Sequence, residues 1–497
     1  MNGADEASVT RPHTNHEGSS MTRKILRACV LLSLASAVLA TDVLATCGGG
    51  GGGGTGGMAN GTMGSPAEVY PVPWKPVAPG DAVDPHGLVV YWFPASQIEM
   101  ERSSLLNSRA LALYASECVT YGVSDSTAPI GRKYVAGGKL PVAVLADAGG
   151  KEIARLVTKD GKLYVDDVEK MVSTEIKSRE TAVRNTMKAA KDKEKIDKDA
   201  AIALYRGVVE QKCMFPGPAK DAQSALKKLG VAGGAPIPAA AGPAFDRAKG
   251  ARVEQALKDG LMAENMAKYG DAEKLYARAH AIDPADPAPL RYLGELYRHE
   301  TGDWDKARRI FQQLLDMPAD PISRAVALHG LGKMTVHAGE FQQGLALMEQ
   351  SAAVYPLALT YRNLAVYWHS EGDLVKSDEY TRKALALDPK DPFNLIFAAA
   401  FMAGNGQAEE ALKVAEANES LLCASYNLAA IYAQAGDTRK ALDLLRRHFF
   451  EYERTQSVRS KEMMEARVDI VFASLAKNAE FLEMTAGADG KLPMRGR

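Results

Sequence analysis

The sequence has only five cysteines in 497 residues, Cys29, Cys47, Cys118, Cys213 and Cys423, and no two stand as C-x-x-C. That spacing excludes both a cysteine-paired zinc site and a dithiol redox motif. A surplus of one charge is missing as well: 60 Lys and Arg face 61 Asp and Glu, a net charge of −1. No global field draws the chain to nucleic acid, which is therefore not expected as a partner. No G-x-S-x-G, P-loop, H-E-x-x-H or G-x-G-x-x-G stands in a fitting context, so neither an enzymatic activity, a metal nor a cofactor is expected. What remains is ordinary globular material, 46% hydrophobic and 24% charged, with room for two or three folded units.

Residues 1–20 are polar and featureless and read as a mis-assigned start. From Met21 the chain has the plan of a secretory signal over 21–46. Arg23, Lys24 and Arg27 form a charged region, and Ala28 to Ala40 (ACVLLSLASAVLA) an apolar one too short to span a bilayer comfortably. Two cleavage readings stand side by side. Val38-Leu39-Ala40 suits ordinary signal peptidase and gives a free exported protein. Leu44-Ala45-Thr46-Cys47 resembles a bacterial lipobox, which implies a lipid on Cys47 and anchoring to a membrane. Gly48 to Gly54, Gly56 and Gly57 then make a tether over 47–67 that cannot pack.

After Pro71, Pro73, Pro76 and Pro79 comes a compact unit, 68–187. Leu88-Val89-Val90-Tyr91-Trp92 is continuously apolar, as a buried strand requires. Ser103 to Ser116 reads as a helix and Cys118 to Val123 as a second strand. Leu140 to Leu145, a turn at Asp147-Ala148-Gly149-Gly150 and Lys151 to Leu156 punctuate as a hairpin, and Asp166 to Lys188 as a long closing helix. This order resembles the thioredoxin fold, with Pro141 where that family keeps a cis-proline. The family's C-x-x-C is replaced by Phe93-Pro94-Ala95-Ser96-Gln97-Ile98-Glu99, so the resemblance implies an α/β thioredoxin-like domain without its redox nucleophile. An unrelated small α/β domain is the other reading.

Residues 188–230 read as a helical connector, a pair of helices with Pro216-Gly217-Pro218 as the turn between them. Its Lys/Asp-rich start is a solvated face, and 231–250 (from Val231, VAGGAPIPAAA onward) is a linker. Cys118 and Cys213 could pair in an oxidising compartment; the alternative is that each is a small buried hydrophobe.

From Val253 to Leu445 one pattern recurs. Its clearest copy is Tyr361-Arg362-Asn363-Leu364-Ala365, Glu371-Gly372-Asp373, Ala384 and Asp388-Pro389. The small residues Ala272, Ala307, Gly344, Ser377, Ala411 and Ala441 recur at steps of 35, 37, 33, 34 and 30, with one residue inserted before Ala307. A period near 34, small residues at a helix crossing and a following proline resemble the tetratricopeptide repeat. The resemblance implies an all-α helical-repeat solenoid of about six helix pairs over 251–450. Residues 451–497 would supply capping helices and a tail.

In that family the first helices line a concave surface that takes a peptide or a partner's helix. Mapping its inward positions gives Arg291, Glu295, Arg298, His299, Lys333, His337, Arg362, Asn363, His369 and Asn427 as a partner-binding groove. These residues are polar and lean basic, so an acidic segment or a free C-terminus is a fitting guest. Stacked repeats lie about a helix diameter apart, too far for His299, His337 and His369 to share one metal ion. The expectation is a non-enzymatic scaffold or adaptor of the cell envelope, periplasmic or membrane-anchored, that binds a protein or peptide. The alternative is a thiol–disulfide protein using Cys118 or Cys213 in an unconventional way.

Overall fold

The computed structural model describes residues 69–486 except 78–82, 136, 159, 232–245, 422–424 and 454–455. The signal read at 21–46, Cys29, Cys47 with its glycine tether, Cys423, most of the linker and the end of the tail lie outside the described residues.

The first unit is a small α/β fold with one mixed sheet. Its strands are β1 (Trp74–Pro76), β2 (Leu88–Phe93), β3 (Val119–Val123), β4 (Val142–Asp147) and β5 (Glu152–Val157), ordered β1-β3-β2-β4-β5. β1 and β2 run parallel to β3, while β4 is antiparallel to β2 and β5 to β4. The apolar run of β2 is central because it is covered on both faces: Val90 and Trp92 join the larger core, Phe93 the smaller one on the other face. Phe93 pairs with Val142, which places Pro141, preceded by a cis peptide, beside the C-terminal end of β2.

Four helices accompany the sheet: α1 (Gln97–Glu101), α2 (Arg109–Ala115), α3 (Pro129–Tyr134) and α4 (Val165–Lys193). The single helix expected over Ser103 to Ser116 is broken. Ser103 accepts from Leu105 N and closes a short 3-10 turn, then Ser108 accepts from Leu111 N and starts α2. Serine side chains that compete for nearby backbone donors favour such caps over helix interiors.

The connector helices, α5 (Lys198–Glu210) and α6 (Pro216–Lys228), belong to the same core: Tyr205, Val208, Phe215 and Leu226 pack with Trp74 and Trp92. Pro216-Gly217-Pro218 opens α6 rather than forming the turn before it, since proline at a first helical position loses no needed donor. Cys118 and Cys213 are joined in a disulfide with Cα atoms 5.9 Å apart, a separation such a bond accommodates. It fastens the start of β3 to the α5–α6 turn. The pairing left open in the sequence is thus made.

Six helix pairs follow: α7 (Arg247–Asn265) with α8 (Tyr269–Ile282), α9 (Ala288–Glu295) with α10 (Trp304–Asp316), α11 (Pro321–His337) with α12 (Phe341–Val354), α13 (Ala358–Ser370) with α14 (Leu374–Leu387), α15 (Pro392–Gly404) with α16 (Ala408–Ala417), and α17 (Ser425–Gln434) with α18 (Thr438–Arg447). The recurring small residues sit where the helices of a pair cross, and all six are buried. The residue inserted before Ala307 is taken up in a π-helical turn, Leu296–Glu300, that continues α9. A second π turn, His448–Tyr452, leads to α19 (Gln456–Ala466), a 3-10 segment (Ile470–Leu475) and α20 (Ala479–Met484). Phe472, Phe481 and Met484 pack into the core of the last two pairs, so this end of the array is capped.

Gly294 and Gly330 face the fully buried Phe311 from opposite sides, and a Cβ on either would overlap the ring. Alanine regains about 1 kcal/mol of helix propensity. Overpacking a filled core costs about 1–3 kcal/mol, and a buried ring between two helices has little room to yield. Each of Gly294→Ala and Gly330→Ala should therefore lower stability by about 1–2 kcal/mol in urea unfolding; unchanged midpoints would show that the two helices can separate freely here.

Candidate protein-binding groove

The first helices of the pairs present their polar side chains to one inner face. At its N-terminal end that face is occupied by the chain's own segment Val69–Trp74. This segment is tied to the α/β unit by backbone bonds, Ser108 N to Tyr70 O and Val72 N to Leu106 O, and by Tyr70 N to Asn107 Oδ1. Its other side meets the repeats. Arg291 and Tyr292 both donate to Val69 O, Tyr70 Oη donates to Asp286 at 2.6 Å, and Tyr355 Oη donates to Trp74 O. Arg109, from α2, pairs with Asp286 at 3.1 Å and with Asp283, which also holds Lys249. Prolines at 71, 73 and 76 favour an extended backbone for the residues before them, which suits a segment laid along a groove.

The residues assigned to the groove from sequence are thus mostly buried, not open to solvent. Arg291 is 2% exposed and bonds Ser323 as well as Val69. Arg362 donates to Asn394 Oδ1 at 2.8 Å, lies against Phe393 and Phe397, and stitches the fourth pair to the fifth. Asn363 donates to Leu359 O within its own helix. His369 packs on Phe401 with the rings tilted and their centroids 4.9 Å apart, and Asn427 is half-buried on α17. The three histidines 299, 337 and 369 form no ligand cluster among the described residues.

Four of the ten do come together at the middle of the groove: Glu295, Arg298, His299 and Lys333. The π turn carries Arg298 back onto Glu295, two residues of a buried pair at 2.7 Å, and His299 lies 3.5 Å from the same carboxylate. Burial alone would raise the Glu295 pKa, but Arg298 and His299 hold it well below the usual carboxylate range. Burial, reinforced by Arg298, pushes His299 down to about 4, and burial lowers His329 further. Lys333 is 6% exposed, and its ammonium makes no hydrogen bond or ion pair with another described residue. Burial, then Arg298, lowers its pKa; Glu462, Glu465 and Glu453 oppose that shift from the C-terminal end of the chain. His337, one turn further along α11, lies 3.8 Å from Glu465.

Sequence reasoning missed His329, whose ring meets Thr360 at 3.1 Å, and both segments of the chain that enter the groove. The prolines near 71–76 and the acidic residues after Tyr452 were the available signals. Each read more simply as a spacer or a cap.

Residues 261–331, from α7 to α11, match the tetratricopeptide repeat family. The C-terminal part is a tetratricopeptide-like helical solenoid. Among curated proteins, the CTR9 homolog of Arabidopsis thaliana is 26% identical over 237 residues, 37% of this chain and 21% of that protein, so the match spans about a fifth of that relative. Similar solved structures include PilF of Pseudomonas aeruginosa, at 16% identity over 42% of this chain and 96% of that one with a TM-score of 0.30. Another is YrrB, a tetratricopeptide protein described as having an unusual peptide-binding site, at 18% identity over 37% and 95% with a TM-score of 0.25. Tetratricopeptide repeats serve as protein-binding scaffolds, and the family match supports a protein-interaction role here.

His299 takes a proton less readily folded than unfolded. Its share of the stability is intact above the unfolded value of about 6.5 and is lost as pH falls through its folded value of about 4. The full loss is bounded at about 3 kcal/mol. Thermal midpoints should therefore fall between pH 6.5 and 4 less steeply for His299→Gln than for the wild type; parallel curves would mean that His299 is not held neutral.

Proposed function

We propose that this protein is a non-enzymatic scaffold of the bacterial cell envelope that holds an acidic segment of a partner protein in the groove of its repeats. The observation that carries the reading is Lys333, a buried cation beside Arg298 on the inner face, with no ion-pair partner in hydrogen-bonding reach among the described residues. A carboxylate delivered to this largely shielded ammonium would pair with it more strongly than at an open surface. Arg291 and Arg362 are less suited to a partner, since their guanidinium groups hold Val69, Ser323 and Asn394.

The α/β unit is read as a thioredoxin-like domain that has kept its shape and not its chemistry. Its strand order and the position of Pro141 beside the end of β2 support that reading. The disulfide weighs against the thiol–disulfide alternative. Leu88 of β2 pairs with Val119 of β3, so Cys118 lies at the N-terminal end of β2. Phe93-Pro94-Ala95-Ser96, where the resemblance would put the reactive cysteines, lies at the other end. A bond that joins β3 to the α5–α6 turn, 95 residues on, has the character of a structural staple.

Capture from envelope extract tests the scaffold, with wild type and Lys333→Gln as baits of equal thermal stability. A protein retained by the wild type and reduced at least about tenfold with the variant supports the reading. The same set on both baits sinks it. Export and the lipid are tested by cell fractionation: Cys47→Ser should move the protein from the membrane to the soluble envelope fraction. Unchanged membrane association would rule out a lipid on Cys47 as the anchor.

A further inference from the structure

A cleft of about 1120 Å³ lies where the α/β unit, its two connector helices and the first repeat meet, and none of the ten groove residues lines it. Its walls come from α2, α4, the start of α6 and the first half of α7. That volume is on the scale of a ligand site, not of a packing defect. The Cys118–Cys213 disulfide braces it. Glu117 adjoins one cysteine and Met214 the other, and both residues are in the lining.

The inside and the rim of the cleft carry opposite charge. Glu117, Glu169 and Glu180 are half-buried, whereas Lys170, Lys177 and Arg247 are exposed. The remaining cation of the lining, Arg109, is already held by Asp283 and Asp286. Glu169 accepts from Ser108 Oγ at 2.6 Å, and Glu180 pairs with Arg184. The Glu117 carboxylate, by contrast, makes no hydrogen bond or ion pair among the described residues. Burial, and then Glu180, raises its pKa to about 7, as expected where no cation answers the charge. A second group is unspent. Tyr121 stands on the face of β3 that packs with Tyr114 of α2 and Phe215 of α6. Its hydroxyl is buried and has no hydrogen-bond partner among the described residues. Met214 and Phe215 add apolar surface to the same lining.

We propose that this cleft is a second binding site, and that its occupant is a lysine side chain of a partner polypeptide, with the ammonium on Glu117 and the stem against Met214 and Phe215. An ammonium brings three donors and no acceptor, which complements a carboxylate without a donor. It is also a compact, freely turning point charge, better suited to one carboxylate among scattered acceptors than the rigid fork of arginine. The aliphatic stem covers apolar surface while the charge stays at the polar end. A short free amine would leave most of the cleft to water, whereas the residues flanking a lysine would fill it. This goes beyond the groove reading and does not rest on it: the groove offers cations to an acidic segment, the cleft a carboxylate to a basic one.

The probe is a fluorescein-labelled peptide, Ala-Phe-Lys-Phe-Ala with blocked ends, titrated by anisotropy into the full chain beside a twin carrying norleucine for lysine. The wild type is expected to bind the lysine peptide at least about tenfold more tightly than its twin, the scale of one charge-assisted hydrogen bond. Glu117→Gln should abolish that preference, and Lys333→Gln should leave it intact. Equal behaviour of the two peptides on the wild type, no binding of either included, overturns the proposal. So does a lysine preference that survives Glu117→Gln. Loss of the preference in a folded Lys333→Gln variant would put the peptide in the groove and overturn the cleft, so the two sites are told apart. Displacement by n-butylamine at concentrations near the peptide's own Kd would overturn the polypeptide as occupant. Should Glu117→Gln fail to fold, Tyr121→Phe takes its place: a weakened lysine preference supports the site and an unchanged one sinks it.

Discussion

The structure depends on one buried polar clamp. Asp283 and Asp286, in the loop after the first repeat pair, are almost fully excluded from water, and each is held by cations or hydroxyls from elsewhere: Arg109 of the α/β unit, Lys249 of α7 and Tyr70 of the entering segment. Carboxylates placed there unpaired would cost several kcal/mol each. They are tolerable only while Val69–Trp74 lies between the two units and Arg109 is docked. The same segment contributes Trp74 to the sheet's core and Val69 and Tyr70 to that of the first repeats. The α/β unit and the solenoid are therefore joined by shared residues rather than by simple surface contact.

That sharing explains what could be read from the sequence and what could not. The repeats were legible because their signal is local and periodic: a small residue at each crossing, a glycine of positive φ at the turn in Gly302, Gly339, Gly372, Gly406 and Gly436, and a helix length set by amphipathic pattern. The sheet strands β2 and β4 were legible for a similar reason, since burial on both faces leaves unbroken apolar runs, while the largely exposed β5 was legible from the glycine turn before it. Three-residue β1 and six-residue α3 carry too few positions to show a period. The broken helix at 103–116 turned on two serines whose side chains took backbone donors.

The groove was harder, because its state depends on residues more than a hundred positions apart in the sequence. Arg291 and Val69, or Lys333 and Glu462, have no relation that spacing can reveal. Pattern placed Arg291, Lys333 and Arg362 on the inward side of their helices. Whether an inward residue meets solvent or the chain itself is decided by what folds over it, and here the chain enters from both ends. The inner face consequently combines fixed positions, such as Arg362 between two phenylalanine rings, with a central cluster whose charges are only partly answered.

The π turn at Leu296–Glu300 has a consequence for how such an array varies in length. One uncompensated residue in a helix rotates every later side chain by about 100°. Arg298 and the packing face of that helix would then look the wrong way. Here the extra residue is spent inside a single widened turn at the end of the helix, after Gly294 has already met Phe311. The insertion in this pair is thus absorbed at the end of its own first helix, downstream of the residues that pack the crossing.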